Sequence, residues 1–225
     1  MTERPQLIIM LTHHDKTVVN AREIFEECKD TKAQYWGLKE IGLSQEEIKG
    51  LFSYMKACGK TTVLEVVAYT EETSLEGAKL AVDCGCDILM GTMYFDSVND
   101  ICKDHGLKYM PFVGQIHSRP SVLEGEVEDM LAQAKDCLEK GVYGFDLLSY
   151  RYTGDPLELS RRFVSSVPAP VCIAGSIHSL QRLEEVKALS PWAFTIGGAF
   201  FESCFGQGFK EQINRVYEII CGKNR

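Results

Sequence analysis

Eight short apolar runs alternate along the chain with longer segments in which apolar residues recur at helical spacing. Apolar runs bounded by turn residues are typical of buried strands, and the intervening periodicity is that of amphipathic helices. The predicted strands are Leu7–Thr12, Gln34–Lys39, Thr62–Tyr69, Ile88–Met93, Tyr109–Ile116, Tyr143–Ser149, Val171–Ala174 and Ala193–Gly197. The predicted helices are Val18–Cys28, Gln45–Cys58, Leu75–Cys84, Ser97–Asp104, Val122–Lys140, Pro156–Val167, Leu180–Leu189 and Phe209–Cys221.

Strands that alternate with helices of this length predict parallel pairing with right-handed crossovers. Eight such units in 225 residues fit a (β/α)8 TIM barrel near the lower edge of barrel sizes. The main alternative is a doubly wound open sheet, but the first strand is followed by Thr12-His13-His14-Asp15-Lys16 and not by a glycine-rich dinucleotide turn. We therefore predict an α/β fold, one TIM-barrel domain over residues 1–225 with eight parallel strands and outer helices.

Composition and charge narrow the class of ligand. Acidic residues outnumber basic ones by 32 to 24, which gives a formal net charge of −8 and argues against binding to nucleic acid or to an anionic membrane. No apolar stretch reaches the roughly 18 residues that span a bilayer. The nine cysteines contain no C-x-x-C pair, and no secretory signal is recognised, so we expect reduced thiols and a cytoplasmic location.

The last two predicted strands both end in glycine-containing turns, Gly175-Ser176 and Gly197-Gly198. Glycines at the carboxyl end of a strand let the backbone approach a ligand, and unpaired N–H groups there suit a phosphate. In TIM barrels the phosphate site is often built from the loops after strands seven and eight. We therefore predict that Gly175, Ser176, Gly197 and Gly198 bind the phosphate of a small phosphorylated substrate.

Ionisable residues interrupt three of the predicted strands. Lys39 ends strand two, Glu65 lies within strand three and Asp146 within strand six. Because strands two and three are neighbours in a barrel, a buried ion pair between Lys39 and Glu65 is geometrically allowed. One interpretation is acid–base catalysis by Lys39, Glu65 and Asp146. The other is a structural salt bridge that fills the barrel.

Three further residues follow or end strands and are candidates for substrate binding: His13, His117 and Arg151. Arg151 would supply a cation to a substrate anion. His13 and His14 are adjacent, so only one of them is expected to point into the barrel mouth if the strand pattern continues.

A metal site is a further interpretation of these side chains. The histidines, with Glu65 and Asp146, would offer nitrogen and oxygen ligands of the kind that stabilise an enediolate. No H-x-H or H-E-x-x-H motif is present, so we predict neither a metal nor a cofactor, with a divalent cation as the alternative.

The closing third of the chain resembles the ribulose-phosphate-binding barrels. The segments 145–153, 171–179 and 192–199 are similar to the last strands of N-acetylmannosamine-6-phosphate 2-epimerase and of the histidine-biosynthesis ribotide isomerases. This resemblance implies a TIM barrel with phosphate on the amides of Gly175, Ser176, Gly197 and Gly198. The epimerase carries a lysine at the end of its third strand, where this chain has Val67-Ala68-Tyr69.

The sequence thus predicts an isomerase or epimerase that moves a proton next to the carbonyl of a sugar phosphate. An aldolase- or decarboxylase-type lyase is one alternative, and a non-catalytic sensor of a phosphorylated ligand is another. The aromatic pairs Phe200-Phe201 and Tyr150-Tyr152 fit either self-association into a homo-oligomer or packing of the outer helices.

Overall fold

The computed structural model describes residues 4–222, which form a barrel of parallel strands surrounded by helices; residues 1–3 and 223–225 of the predicted domain lie outside the described part. The strands are β1 (Gln6–Met10), β2 (Thr12–His13), β3 (Lys16–Thr17), β4 (Tyr35–Lys39), β5 (Thr61–Val66), β6 (Ile88–Gly91), β7 (Lys108–Met110), β8 (Gln115–His117), β9 (Val122–Glu124), β10 (Phe145–Leu147), β11 (Val171–Ile173) and β12 (Ala193–Ile196). The helices are α1 (Ala21–Cys28), α2 (Gln45–Ala57), α3 (Glu71–Asp83), α4 (Asp96–Asp104), α5 (Val127–Glu139), α6 (Pro156–Ser166), α7 (Leu180–Leu189), α8 (Gly198–Phe201) and α9 (Phe209–Cys221), with a short 3-10 helix at Ser149–Arg151.

Eight of the strands pair in the order β10-β11-β12-β1-β4-β5-β6-β7, and all of these pairings are parallel. The last barrel strand closes on the first, because β12 pairs with β1. At the remaining seam, between β7 and β10, the backbone N–H of Asp146 donates to the carbonyl oxygen of Pro111 at 3.1 Å. The predicted eight-stranded TIM barrel is confirmed.

Strand side chains alternate between the barrel interior and the layer under the helices, as strand geometry requires. The interior cluster consists of Ile8, Met10, Val63, Ile88, Met90, Met110, Cys172 and Ala193. Glu65 follows Val63 by two positions and therefore shares its face. Asp146 lies opposite Cys172 in the β10–β11 register, and Lys39 lies opposite Glu65 in the β4–β5 register. The three predicted catalytic side chains thus belong to the interior face.

The fifth unit differs from the prediction. The predicted strand Tyr109–Ile116 ends at Met110, because Pro111 has no backbone N–H with which to continue the ladder. Strands β8 and β9 then pair with each other in antiparallel fashion, so the predicted helix Val122–Lys140 begins only at Val127. We call residues 115–124 the β8–β9 hairpin.

Two helices begin at a serine whose side chain accepts a hydrogen bond from an N–H group of the first turn. Ser44 and Glu47 form a complete capping box at the start of α2, and Ser179 accepts from the N–H of Arg182 at the start of α7. Helix α4 begins at Asp96, one residue before the predicted start at Ser97, and the Ser97 hydroxyl donates to Oε1 of Glu71 at 2.5 Å.

Two further predictions concern the chain as a whole: that it has no membrane-spanning segment and that its thiols are reduced. Within residues 4–222, no helix has both the length and the apolar character needed to cross a bilayer. All nine cysteines are free thiols.

Candidate active site

A cavity of about 320 Å³ lies at the carboxyl ends of the barrel strands, the end at which TIM barrels carry their active sites. The predicted site residues that line it are His13, Lys39, Glu65, Arg151, Gly175, Ser176, Gly197 and Gly198. Further polar lining residues are Thr12, His14, Asp15, Ser121, His178, Thr195 and Glu202. The structure therefore brings eight of the ten predicted site residues to one cavity.

Lys39 is the buried cation of this cavity, with only 7% of its surface exposed. Its Nζ donates to Oδ1 of Asp15 and lies 3.5 Å from Oε1 of Glu65. The ion pair with Glu65 is the one that the sequence allowed. Asp15 joins it because the chain turns back in the short β2–β3 hairpin directly after β1.

The surroundings of Lys39 determine its protonation. Burial would lower the pKa of Lys39, but the carboxylates of Glu65, Asp15 and Glu40 outweigh burial and raise the pKa above its ordinary value. Lys39 is therefore charged at neutral pH. A charged ammonium can stabilise negative charge that develops on a substrate oxygen, whereas a nucleophilic amine would require the opposite shift of the pKa.

Arg119, on the β8–β9 hairpin, also contacts this cluster. Its Nη2 donates to Oε1 of Glu40 at 3.0 Å and to the carbonyl oxygen of Val67 at 2.7 Å. Its Nη1 lies 3.5 Å from Oδ2 of Asp15. Asp15 is thus shared between two cations, Lys39 and Arg119, and the hairpin is held against the barrel mouth.

Asp146 lies inside the barrel and is not among the cavity-lining residues. Its exposed fraction is 0%, and neither carboxyl oxygen has a hydrogen-bond partner of normal geometry among residues 4–222. Burial, reinforced by the charge of Glu65, raises the pKa of Asp146 well above its ordinary value. Asp146 therefore favours its protonated form more strongly than an exposed aspartate does, and it lies behind the Lys39–Glu65 pair.

The glycine turns after β11 and β12 present unpaired backbone donors. The N–H groups of Gly175, Ser176, Gly197 and Gly198 have no hydrogen-bond acceptor within residues 4–222. These four residues all line the cavity. Backbone N–H groups that converge on one cavity without a protein acceptor can bind an anion.

Arg151 adds a side-chain cation beside these turns. Gly175 has a φ of +82°, and a Cβ built on it would come within 2.8 Å of Nε of Arg151, so the guanidinium packs on the bare glycine. Nε of Arg151 is buried without a hydrogen-bond partner, and its Nη1 lies 3.5 Å from the carbonyl oxygen of Ser121. Within the described chain, Arg151 has no carboxylate partner.

His13 and His14 both line the cavity, contrary to the expectation that only one would face it. That expectation depended on a continuing strand pattern, and the strand does not continue: His14 adopts a φ of +49° in the turn between β2 and β3. The two rings lie 3.8 Å apart, centroid to centroid, and Nε2 of His13 is 3.6 Å from Oε1 of Glu202.

Two other histidines lie near the barrel mouth: His117, which the sequence predicts as a substrate-binding residue, and His178, which it does not. His117 is exposed on the β8–β9 hairpin, where its Nδ1 lies 2.8 Å from Oγ of Ser118, and it is not a lining residue of the cavity. His178 does line the cavity, with its Nε2 3.1 Å from Nη1 of Arg182. Its position directly after the Gly175 turn was the signal that could have found it.

The residues considered for a metal site are spread apart, with His117 on the hairpin and Asp146 inside the barrel. Across residues 4–222, no three His, Cys, Asp or Glu side chains are grouped so that they could hold a metal ion.

No family model matches this sequence, and no curated protein matches it. Solved structures do match its fold. Orotidine 5'-monophosphate decarboxylase from Methanocaldococcus jannaschii, complexed with the inhibitor BMP, is 19% identical with a TM-score of 0.72, over 99% of this chain and 100% of that one.

Two other similar structures are enzymes named for phosphorylated sugars. 3-Hexulose-6-phosphate synthase from Salmonella typhimurium is 13% identical with a TM-score of 0.69, over 96% of this chain and 98% of that one. N-Acetylmannosamine-6-phosphate 2-epimerase from Clostridium perfringens is 13% identical with a TM-score of 0.63, over 88% of each chain. These neighbours are ribulose-phosphate-binding barrels, the group that the sequence resembles, and they establish the fold of this chain.

Proposed function

We propose that this protein binds a sugar phosphate and isomerises or epimerises it by moving a proton next to a carbonyl group. One observation carries the proposal: unpaired backbone amides and a charged lysine between two carboxylates face the same cavity. The first arrangement suits a phosphate, and the second suits an enediolate and the proton that must be moved.

The two arrangements occupy neighbouring sectors of the barrel. We call Arg151, Gly175, Ser176, Gly197 and Gly198 the phosphate end; they follow β10, β11 and β12. We call Asp15, Lys39 and Glu65 the reactive end; they belong to β4, β5 and the turn after β1. Since β12 pairs with β1, one small molecule can reach from one end to the other.

In the proposed reaction, Glu65 removes the proton from the carbon next to the carbonyl group and, in the second half of the reaction, returns a proton to the enediolate. Lys39 donates a hydrogen bond to the carbonyl oxygen and stabilises the negative charge that develops there. Asp15 holds the ammonium in position. Asp146 does not touch the cavity, so we assign it a positioning role behind Glu65 and Lys39.

The raised pKa of Lys39 favours proton transfer over an imine-forming lyase, because an imine requires an uncharged amine. Borohydride reduction in the presence of pentose and hexose phosphates should therefore leave the mass of the protein unchanged. A covalent adduct on Lys39 would instead support the lyase.

Incubation with aldose and ketose phosphates in deuterium oxide tests the proposal directly. We expect deuterium to appear at the carbon next to the carbonyl group of at least one compound, and NMR would detect it without knowledge of the product. Cleavage products would support the lyase. Saturable binding without exchange or cleavage of any compound would overturn catalysis and support the sensor.

We place this activity in the cytoplasm, where the nine free thiols would stay reduced.

A further inference from the structure

We infer that the substrate carries a single phosphate, and that its other end is an uncharged polyhydroxylated chain and not a carboxylate. The inference rests on the proposed function and concerns the charge of the reactive end. It separates this protein from barrels whose substrates carry both a phosphate and a carboxylate.

The inventory of charges around the cavity supports this inference. The lining carboxylates are Asp15, Glu65 and Glu202, whereas the lining lysines and arginines are Lys39 and Arg151. Arg151 packs on Gly175 at the phosphate end and would be used by the phosphate. Only Lys39 is left to bind a second anion at the other end.

Lys39 is already engaged by two carboxylates, with its Nζ on Asp15 and 3.5 Å from Glu65. The remaining N–H of its ammonium is free to donate to one neutral oxygen. Because the two carboxylates exceed its single charge, a substrate carboxylate placed there would be next to net negative charge.

Arg119 contacts the same cluster, but it cannot act as the cation that would bind a substrate carboxylate. Its Nη2 donates to Glu40 at 3.0 Å, and its Nη1 faces Asp15 at 3.5 Å. Glu40 also has its Oε2 buried without a hydrogen-bond partner in the part of the chain that the structure describes. Counted together, Lys39 and Arg119 face Asp15, Glu40 and Glu65, which leaves an excess of one negative charge.

The histidines do not reverse this balance. His13 faces Glu202 at 3.6 Å, so a proton on that ring already has a carboxylate partner. The His14 ring lies 3.8 Å from that of His13, centroid to centroid, and His178 contacts Arg182. By contrast, substrate hydroxyl groups can donate to the carboxylates of Asp15 and Glu65, which accept without giving up Lys39. The reactive end therefore complements hydroxyl groups.

Two commercially available ligands differ only in this feature. D-Glucitol 6-phosphate ends in a primary alcohol, and 6-phospho-D-gluconate ends in a carboxylate on a carbon chain of the same length. Titration calorimetry of the wild-type protein should give an affinity at least about tenfold higher for the alcohol, because like charges at close range are strongly unfavourable. Equal affinity, or tighter binding of the gluconate, would overturn the inference.

Inorganic phosphate, titrated as a third ligand, separates this inference from the proposed function. If phosphate binds and the two organic ligands do not differ, the inference fails and the phosphate end stands. If none of the three binds, the proposed function itself fails.

Substitutions test whether the carboxylates of the reactive end cause the difference in affinity between the two organic ligands. Glu65→Gln and Asp15→Asn each remove one negative charge and should reduce the affinity ratio severalfold. Glu184→Gln makes the same chemical change at an exposed pair with Lys187 on α7 and should leave the ratio unchanged. An unchanged ratio in both reactive-end variants would contradict the assignment to these carboxylates.

Discussion

Replacement of Lys39 by alanine should reduce turnover by about 10²–10³-fold or more while leaving phosphate affinity nearly unchanged, since one preorganised donor to a developing oxyanion is worth about that much. Lys39 belongs to the reactive end, whereas the phosphate would be held by backbone amides in another sector of the barrel. Steady-state kinetics and phosphate titration on the same preparation would separate the two effects.

The same variant should be less stable. Removal of Lys39 leaves Asp15 and Glu65 close together without their shared cation, and breaking a buried pair on one side costs about 3–5 kcal/mol of unfolding free energy. Lys56→Ala is the matched control, because Lys56 pairs with Asp87 at 3.0 Å at an exposed position of α2. Wild-type turnover in the Lys39 variant would remove this residue from the mechanism.

Asp146→Asn should gain stability relative to the wild type as the pH rises from the unfolded-state pKa of the Asp146 carboxyl group to its folded-state pKa. The folded-state pKa of Asp146 is raised by burial, so the folded protein binds a proton that the unfolded chain has released. Wild-type stability therefore falls as pH rises above the unfolded-state pKa and stops falling above the folded-state pKa. Asparagine keeps the shape of the neutral acid and does not titrate.

Urea denaturation of both proteins across a pH series checks this expectation. The difference in unfolding free energy should increase with pH by up to about 1.4 kcal/mol per unit within that window. Asp100→Asn, which makes the same chemical change at an exposed position of α4, is the matched control. A constant difference for Asp146→Asn would show that folding does not raise the pKa of Asp146.

The barrel and its interior charges were accessible from the sequence because both depend on local patterns. Lys39 and Glu65 interrupt apolar runs of neighbouring strands, and parallel register then places them side by side. The glycine turns were predictable for a similar reason, since Gly175 and Gly197 follow the last two strands within two residues.

The features of the site that the sequence did not predict depend on contacts between segments that are distant in the sequence. Arg119 contacts Glu40, which is 79 positions away in the sequence, and Asp15, which is 104 positions away. No local sequence pattern predicts contacts over such separations. Pro111 was the readable signal for the early end of β7, because a proline within an apolar run interrupts strand pairing. The sequence also could not predict that Asp146 lies behind the cavity. Alternation along β10 shows that its side chain points into the barrel, but not how far from the barrel mouth it lies.

Titration of isotope-labelled protein with inorganic phosphate, followed by amide NMR, tests most directly whether the glycine turns bind an anion. The signals of Gly175, Ser176, Gly197 and Gly198 should shift together and saturate. Those of Gly59 and Gly106, whose N–H groups donate to carbonyl groups at helix ends, should stay in place. Absence of any saturable shift at the four turn residues would contradict the account.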